Sequence, residues 1–438
     1  MLGIGANGIV LRRSDGLVSI WRPPRRTGIG ALIEAPEDLA GTYRLETGDV
    51  VAGETERLAV FDDTDRDLGS EFEQLDEPAA LSGRPLPVSL DGKPIVTERL
   101  VSVASVNGLT GEAIFDRPSP RRRSTHERAA PDRRVLLAGS ASDETGRLLD
   151  LFAPMALGYA GLVEGPHASG MTRTLQAVVR GFAQNAPDVL ALVLLARARG
   201  EEITDWRRRF SEAEIVVMPS LDSGAPADFR LACAEGVLAC AQRQTELGRH
   251  VLLAVDSLTA VWAAMLECEE ADSQYEADQS AARTRIREWM QAAGWFAGEG
   301  LFGSGLGGSL TLLGTAWRSA VDDEEEEERE SHPYLRLFEH VLDGLSWRVV
   351  LSDALAGRRL YPAIDVLECR SARADALLPP SLTETLAEAR RRLPDMPPVL
   401  RHTAVMSALD SHEDPGAAAA ELAALPLAPK APRPPLPI

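Results

Sequence analysis

Residues 165–172 read Gly-Pro-His-Ala-Ser-Gly-Met-Thr. The frame G-x-x-x-x-G-x-T belongs to phosphate-binding loops, in which backbone N–H groups cradle phosphate and a lysine before the threonine reaches the β- and γ-phosphates. Met171 occupies the lysine position. Because a neutral thioether cannot balance phosphate charge, the frame predicts a nucleotide-binding fold with impaired chemistry.

The residues around this loop predict the elements that would position it. The apolar run 159–164 suits a short strand, and residues 173–183 have helical spacing. The backbone N–H groups of Ser169, Gly170 and Met171 would then lie at a helix N-terminus and could still hold phosphate. The alternative, in which the segment is only a strand-to-helix turn inherited by a scaffold, stays open.

A second motif lies further along the chain, in the run Val251-Leu-Leu-Ala-Val-Asp256. A run of apolar residues that ends in an aspartate has the form of a Walker B strand, whose carboxylate holds Mg²⁺ through water. The loop threonine, Thr172, is the usual hydroxyl ligand of the same ion. We therefore expect Thr172 and Asp256 to form the metal side of the site if nucleotide binds.

Composition limits the class of protein. The chain has 438 residues, of which 45% are hydrophobic, enough for a large core and two or three domains. A formal net charge of −20 argues against general binding to polyanions, and Lys93 and Lys430 are the only lysines. No apolar run approaches the roughly 18 residues of a membrane span, and the N-terminus lacks a signal-peptide pattern. We expect a cytoplasmic protein that does not enter a membrane.

Changes of pattern divide the chain into regions. Residues 1–106 alternate short β-like runs with turns, as an OB-like or cold-shock-like barrel would, with an acidic insertion at 61–78. Residues 107–134 form a basic linker rich in proline and arginine. From 135 to 378 apolar runs alternate with helical stretches, which is typical of a parallel sheet flanked by helices. Residues 379–438 have the composition of a helical appendage with a Pro/Ala-rich tail.

The order of motifs resembles one family, the bacterial transcription termination factor Rho, a ring-shaped RecA-type ATPase that moves on RNA. Residues 149–161 resemble the segment that leads into the family's phosphate loop. Further along the core, four segments resemble family motifs: 194–203 (L-L-I-D-E-R-P-E-E-V), 255–259 (L-D-S-I-T), 307–311 (G-G-S-L-T) and 360–365 (V-F-P-A-I-D). Near the start of the chain, 45–51 resembles the family's L-R-T-G-D-V-V. The resemblance spans most of the chain. It implies a RecA-like P-loop NTPase core, ATP and Mg²⁺ as cofactors, RNA as a partner and a hexameric ring.

The departures from the family fall on charged positions. The glutamate that would polarise the attacking water corresponds to Ala198, and the arginine finger of the family's L-S-R corresponds to Asp353. With Met171 in place of the lysine, no catalytic residue is intact, and we expect ATP and Mg²⁺ to bind weakly or not at all. The positions left for nucleotide are Gly165, Ser169, Gly170, Met171, Thr172 and Arg199, with Thr172 and Asp256 for the metal.

The RNA-contacting positions depart in the same way. Where the family has G-F-G-F-L-R, whose rings stack on bases, this chain supplies one ring, Trp21, followed by Arg22. Burial of Trp21 in the barrel core is the alternative. The segments that correspond to the pore loops, 267–279 and 320–330, are rich in Asp and Glu, so they would repel RNA or are simply solvated loops. We expect weakened RNA binding, with Trp21 and Arg22 as weak contacts.

Two functions follow from the resemblance. In the first, the chain keeps the Rho-like fold but hydrolyses ATP poorly, and is a binding or regulatory module in transcription or RNA metabolism, as a homo-hexamer or in mixed rings with an authentic Rho. In the second, it is an active ATP-dependent RNA translocase that terminates transcription, with Arg173, Arg197 or Arg199 replacing the missing lysine and finger. Whether the chain is an enzyme stays open, although its lineage is that of an ATPase.

Overall fold

The chain begins with a curled, mostly antiparallel sheet. The structure, a computed structural model, describes residues 2–4, 6–12, 17–25, 28–57, 98–118, 128–219, 223–272, 280–296, 307–318 and 344–426. The N-terminal elements are β1 (Gly8–Arg12), β2 (Val18–Arg22), β3 (Ala31–Glu34), α1 (Glu37–Thr42), β4 (Val50–Ala52), β5 (Thr55–Arg57), β6 (Glu98–Leu100) and β7 (Ser105–Val106). Among the described residues these form a seven-stranded sheet in the order β5-β6-β3-β2-β1-β4-β7.

Alternation along these strands produces two apolar faces, as a period of two requires. The side chains on the concave face form a core of their own, which includes Val10, Ile20, Ile33, Val51 and Val106. The prediction of a small β-barrel is confirmed as a curled half-barrel sheet. Between β6 and β7 the chain passes close to Gly53, where a Cβ would lie 1.8 Å from the carbonyl oxygen of Ser102.

The second part of the chain alternates strands and helices. Its elements are β8 (Arg128–Ala129), β9 (Arg134–Val135), α2 (Glu144–Phe152), β10 (Met155–Ala156), β11 (Ala160–Gly165), α3 (Met171–Asn185), β12 (Val189–Leu195), α4 (Gly200–Arg209), β13 (Glu214–Val217), α5 (Ala227–Glu246), β14 (His250–Asp256), α6 (Leu258–Asp272), α7 (Ser280–Gln291), β15 (Gly294–Phe296), β16 (Ser309–Trp317), β17 (Trp347–Val350), α8 (Asp353–Ala356) and β18 (Arg370–Ser371). The chain then continues with α9 (Ala374–Leu377), α10 (Pro380–Arg392), α11 (Pro398–Ser411) and α12 (Pro415–Ala423).

The strands of this part form one sheet whose centre is parallel. In the described residues its path is β13-β12-β14-β16-β11-β17-β18, with β15 added to β16 and β8 to β15. The pairs from β13 to β17 are all parallel, and β18 closes one edge in the antiparallel sense. Since parallel strands all end at one edge, the residues that follow β12, β14, β16, β11 and β17 are brought together there. The predicted α/β core is confirmed.

Helices cover both faces of the parallel sheet, which explains why its strands are continuous apolar runs. On one face Val163 and Val193 pack against α3 through Leu175 and Val178. On the other face Leu162 packs in a cluster with residues of α5 and α6. Consecutive residues of β11 therefore face different helices, which fixes the direction of every side chain in that strand.

The convex face of the half-barrel packs on this second cluster. Its apolar side chains are Ile9, Leu11, Trp21, Leu32 and Val50, and they join the core formed by α5 and the sheet. Glycines permit the close approach, because a Cβ on Gly236 of α5 would lie 2.4 Å from Leu11 Cδ2, and one on Gly48 would lie 2.4 Å from the carbonyl carbon of Ala239. The half-barrel and the parallel sheet thus share one hydrophobic core.

The C-terminal helices lie against the first face. In the region predicted as a helical appendage, α10 spans Pro380–Arg392, and α11 packs on α2 and α8. His402 Nε2 of α11 lies 3.1 Å from the carbonyl oxygen of Pro362, which follows α8. The acidic insertion 61–78, linker residues 119–127, the segment 320–330 and the tail from 427 lie outside the described residues. Within the part of the chain that is described, no helix is both long and apolar enough to cross a membrane.

Candidate nucleotide site

The loop between β11 and α3 has the backbone of a tight turn into a helix. β11 ends at Gly165 and α3 begins at Met171. Gly170, immediately before the helix, has φ 99, and Ala168 has φ 62. Positive φ is uncommon for a residue with a Cβ, so Ala168 is held there by its surroundings. The turn directs the free N–H groups of the first helical turn toward the carboxyl edge of the sheet.

The side chain of Ser169 lies inside this loop. The residue is 1% exposed, and its hydroxyl has no hydrogen-bond partner among the described residues. A Cβ on Gly165 would lie only 2.8 Å from Ser169 Oγ, so the hydroxyl fills the space that a larger residue at 165 would need. A buried hydroxyl without a partner costs free energy, which a ligand oxygen at the loop would recover.

The two residues predicted for the metal are in contact. The Thr172 hydroxyl hydrogen-bonds to the carboxylate of Asp256 at the end of β14, and Thr315 Oγ1 donates to Asp256 Oδ1 at 2.7 Å. Burial raises the pKa of Asp256, and these two hydrogen bonds oppose the rise. In the described residues no group of three or more His, Cys, Asp or Glu could hold a metal by itself. The oxygen pair fits Mg²⁺ only together with ligand phosphates, as is usual for this ion.

The structure places all three positions predicted as degenerate at the same edge of the sheet. Met171 begins α3 and Ala198 follows β12, and both are half-buried against the core on the α3 face. Asp353 follows β17 and is exposed at the start of α8. Leu351, the first residue after β17, approaches the loop, because a Cβ on Gly165 would lie 2.7 Å from Leu351 Cβ. Met171 and Ala198 carry no charge, and Asp353 carries a carboxylate.

The arginines considered as substitutes also lie near this edge. The backbone N–H of Arg199 donates to Glu202 Oε2 at 2.9 Å and caps α4, while the side chains of Arg197 and Arg199 are exposed. Arg173 is exposed in the first turn of α3, and its charge helps to lower the pKa of Asp205 in α4, after the larger effect of the hydrogen bond from Arg209.

The nucleotide-binding part of the chain matches known proteins. Residues 146–371 match the ATP synthase alpha/beta family, nucleotide-binding domain. The transcription termination factor Rho of Streptosporangium roseum is 30% identical over 304 residues, which cover 68% of this chain and 70% of that protein. The chain belongs to the Rho family. A second Rho, of Rhodopirellula baltica, is 29% identical over 276 residues, or 61% of this chain and 49% of that protein.

The match to the Rho family is incomplete in length. Rho of Thermotoga maritima is 27% identical over 304 residues, which are 68% of this chain and 64% of that protein. The chain thus spans about half to two thirds of the length of these two Rho proteins. A solved ATPase from the type III secretion system of pathogenic bacteria overlays with a TM-score of 0.52 at 17% identity, covering 78% of this chain and 94% of that one. That likeness supports the fold alone.

Sequence reasoning missed an ion-pair cluster beneath the loop of this Rho-family chain. Glu164, the last residue before Gly165, is 0% exposed. Arg348 of β17 donates to Glu164 Oε1 from Nε at 2.9 Å and also from Nη2, and Arg318 donates to the same oxygen at 3.4 Å. Glu164 faces the same side as Leu162, the side of α5 and α6, so this cluster lies on the face opposite α3. The signal in the sequence was Glu164 itself, a charged residue in the otherwise apolar run 159–164, since a buried charge needs a partner.

Aromatic rings flank the loop on two sides, which sequence reasoning also missed. The Tyr361 hydroxyl donates to the carbonyl oxygen of Ala168 at 3.3 Å, and its ring lies 3.5 Å from where a Cβ on Gly170 would stand. On the other side the imidazole of His167 stacks on Trp317, with ring centroids 4.8 Å apart. No local pattern could pair these residues, because the strand order brings them together.

The two positions predicted to touch RNA are engaged inside the protein. Trp21 is 0% exposed and its Nε1 donates to the carbonyl oxygen of Ile29 at 2.9 Å. Trp21 belongs to the core cluster that also contains residues of α5 and the sheet, which favours the alternative of burial, and its role as a base-stacking ring stays a prediction. Arg22 donates to the carbonyl oxygen of Asn7 at 3.2 Å and lies 3.5 Å from Glu98. Its charge is balanced within the half-barrel.

Proposed function

We propose that this Rho-family chain hydrolyses ATP poorly and is a binding or regulatory module in transcription or RNA metabolism. The observation that supports this is which residue types stand around the phosphate loop at the carboxyl edge of the sheet. The Thr172–Asp256 pair is present, whereas Met171, Ala198 and Asp353 stand where the family resemblance calls for a lysine, a glutamate and an arginine. Phosphoryl transfer depends on positioning and charge stabilisation, and an arginine finger alone is worth about 10³–10⁵ in rate.

We further propose that its partners are copies of itself or an authentic Rho in a hexameric or mixed ring. In such a ring Asp353 would present a carboxylate, not a guanidinium, to the neighbour's phosphates. A mixed ring would then contain one interface without charge stabilisation, and the chain would slow the authentic enzyme. We propose that ATP and Mg²⁺ bind weakly or not at all.

Contact with RNA is proposed to be weaker than in an authentic Rho. The net charge of −20 opposes phosphate binding, which needs clustered Lys and Arg. Trp21 is buried and Arg22 is near Glu98, so neither supports a stacking site on the half-barrel. Binding to proteins of the transcription machinery therefore fits this chain better than movement along RNA.

Steady-state ATP hydrolysis by the purified chain, with and without C-rich RNA, tests the proposal. We expect no turnover above a protein-free control, and inhibition when the chain is added to an authentic Rho before its ring assembles. Turnover stimulated by RNA would contradict the proposal. It would favour the second candidate, an active translocase, which the exposed side chains of Arg173, Arg197 and Arg199 near the carboxyl edge support. Substituting each of these arginines with Ala would then identify the replacement cation.

A further inference from the structure

The groups that this loop retains are those that hold the first two phosphates of a nucleotide. α3 is a 15-residue helix, and the free N–H groups of its first turn open at the loop. In phosphate loops such N–H groups cradle the α- and β-phosphates, and the loop threonine binds Mg²⁺. Both features are present here, since Thr172 contacts Asp256.

The buried hydroxyl of Ser169 is an independent sign of a ligand at this position. It is enclosed by the loop, lies next to Gly165 and has no partner among the described residues. Buried polar groups are nearly always hydrogen-bonded in folded proteins, so an unpaired one needs a reason. A phosphate oxygen held by the neighbouring N–H groups would accept a hydrogen bond from it.

The groups that would hold a third phosphate are missing or point elsewhere. Met171 supplies no charge at the lysine position. Arg318 and Arg348 donate to the carboxylate of Glu164 on the sheet face opposite α3, so both guanidinium groups are already engaged with a buried carboxylate. Exposed arginines such as Arg197 and Arg199 act through water, where ion pairs are weak. A γ-phosphate would therefore add negative charge without adding a strong contact.

We infer that the loop at 165–172 is a site for the α- and β-phosphates of a nucleoside diphosphate with Mg²⁺, and that it gains no affinity from a γ-phosphate. This inference rests on the proposed function, since it takes the loop to be a nucleotide site without hydrolysis. In phosphate loops that have the lysine, this side chain contacts the β- and γ-phosphates, so the third phosphate adds to the affinity for the nucleotide. Here the protein would report the presence of nucleotide and not its phosphorylation state.

Calorimetric titration of the full chain with ADP and with a non-hydrolysable ATP analogue, both with Mg²⁺, tests the inference. We expect the two dissociation constants to agree within about threefold, less than the tenfold that one strong charged hydrogen bond would contribute. A triphosphate analogue that binds tenfold tighter or better would overturn the inference, as would absence of binding by both ligands at millimolar concentration. ATP turnover, measured separately in the same preparation, would instead count against the proposed function.

Two variants sharpen this test. Met171→Lys restores a cation at the loop and should make the triphosphate analogue bind about tenfold tighter than ADP. Ala183→Lys adds the same charge on an exposed position of α3, roughly 18 Å along the helix at 1.5 Å per residue and beyond the screening length, so it should leave the ratio unchanged. Equal effects of both variants would show that the charge acts non-specifically, and the inference would fail.

Ser169→Ala tests the position of the phosphates directly. Loss of the hydroxyl should weaken ADP and the triphosphate analogue by the same factor, since both would place the same phosphates in the loop. An unchanged affinity for both ligands would mean that they bind elsewhere and would overturn the inference. The wild-type ratio stays decisive if a variant does not fold, which its thermal melting curve would reveal.

Discussion

The phosphate loop and the face of the half-barrel that carries Trp21 are two regions where the sequence predicted contacts with ligands, and they differ in what they keep. The loop keeps its strand, its helix and a contact between Thr172 and Asp256. The convex face has no open surface at Trp21, because this ring is fully buried in the core that the half-barrel shares with α5 and the parallel sheet. One region thus retains the shape of a binding site with altered charge, whereas the other has become part of the core.

This difference shows which changes each region tolerates. A loop at the edge of a sheet can lose a cation and still fold, because its backbone is positioned by β11 and α3. A sheet face covered by α5 cannot regain a ligand without separating two packed elements. The comparison therefore predicts that substitutions on the half-barrel face affect stability, while those on the loop affect ligand preference.

The largest effect should come from filling the contact between the half-barrel and α5. Gly48 has φ +89, and a Cβ there would lie within 2.6 Å of both Ala239 Cβ and the backbone N of Cys240. We expect Gly48→Ala to lower the free energy of unfolding by about 4 kcal/mol, because both the conformation and the space exclude a side chain. Urea denaturation followed by tryptophan fluorescence measures the change.

Gly41→Ala is the matched control for this prediction. Gly41 lies in α1 with nothing within 4 Å of its Cβ position, so alanine should be neutral or stabilising by up to about 1 kcal/mol. If Gly48→Ala were as stable as Gly41→Ala, the half-barrel would not be docked on α5. The contrast between the two regions would then disappear.

A smaller but substantial loss is expected from Glu164→Gln beneath the loop. The change leaves Arg348 without its buried carboxylate, and Arg318 loses the same partner. We expect a loss of about 2–3 kcal/mol of unfolding free energy, since breaking a buried ion pair leaves an unpaired charge. Thermal melting of the two proteins at one pH measures it.

The double variant Glu164→Leu with Arg348→Met controls for the removal of charge. Replacing both partners by apolar residues should recover much of the loss, because neither leaves a buried charge unpaired. A double variant less stable than Glu164→Gln would argue that the ion pairs contribute net stability. The loop's support would then be electrostatic and not simply a matter of packing.

The pH dependence of stability should reveal Asp256. Burial raises the pKa of this carboxyl above the ordinary range, so the folded protein holds its proton more tightly than the unfolded chain. Its contribution to stability therefore grows as pH falls through the raised pKa toward the ordinary value, and is lost as pH rises. We expect wild type to gain stability relative to Asp256→Asn over that window, measured as the difference in Tm.

Thr172→Ala provides the control for this dependence. Removing the Thr172 hydroxyl deletes one of the hydrogen bonds that lower the pKa of Asp256. The pH window should consequently move to higher pH in this variant. A Tm difference between wild type and Asp256→Asn that stays constant with pH would show that Asp256 has an ordinary pKa.

The smallest effect is expected from Arg22→Gln on the half-barrel. Arg22 and Glu98 form a partly exposed ion pair at 3.5 Å, which is worth less than about 1 kcal/mol. Binding of C-rich RNA, measured by filter retention, should not change, because this guanidinium is already engaged. A clear loss of retention would return Arg22 to the RNA-binding residues and reverse the contrast between the two regions.

Features set by neighbouring residues were open to prediction. The apolar run before Gly165 and the helical spacing after Met171 predicted β11 and α3, and the run that ends in Asp256 predicted β14. The order of such motifs predicted a Rho-like α/β core, which the fold confirms. What the loop binds stays a prediction, since the affinity of a site depends on charges that the motif does not specify.

The amino-acid sequence by itself determined the strands, the helices and the loop, because local periodicity, glycine positions and apolar runs act over a few residues. That Trp21 is buried in the core shared with the parallel sheet was settled by the tertiary fold, since one apolar face can equally meet a ligand or another part of the chain. It also decided that Glu164 meets Arg318 and Arg348, which are 154 and 184 positions away. These charges meet because the strand order places β16 and β17 on either side of β11, and no local pattern encodes that order.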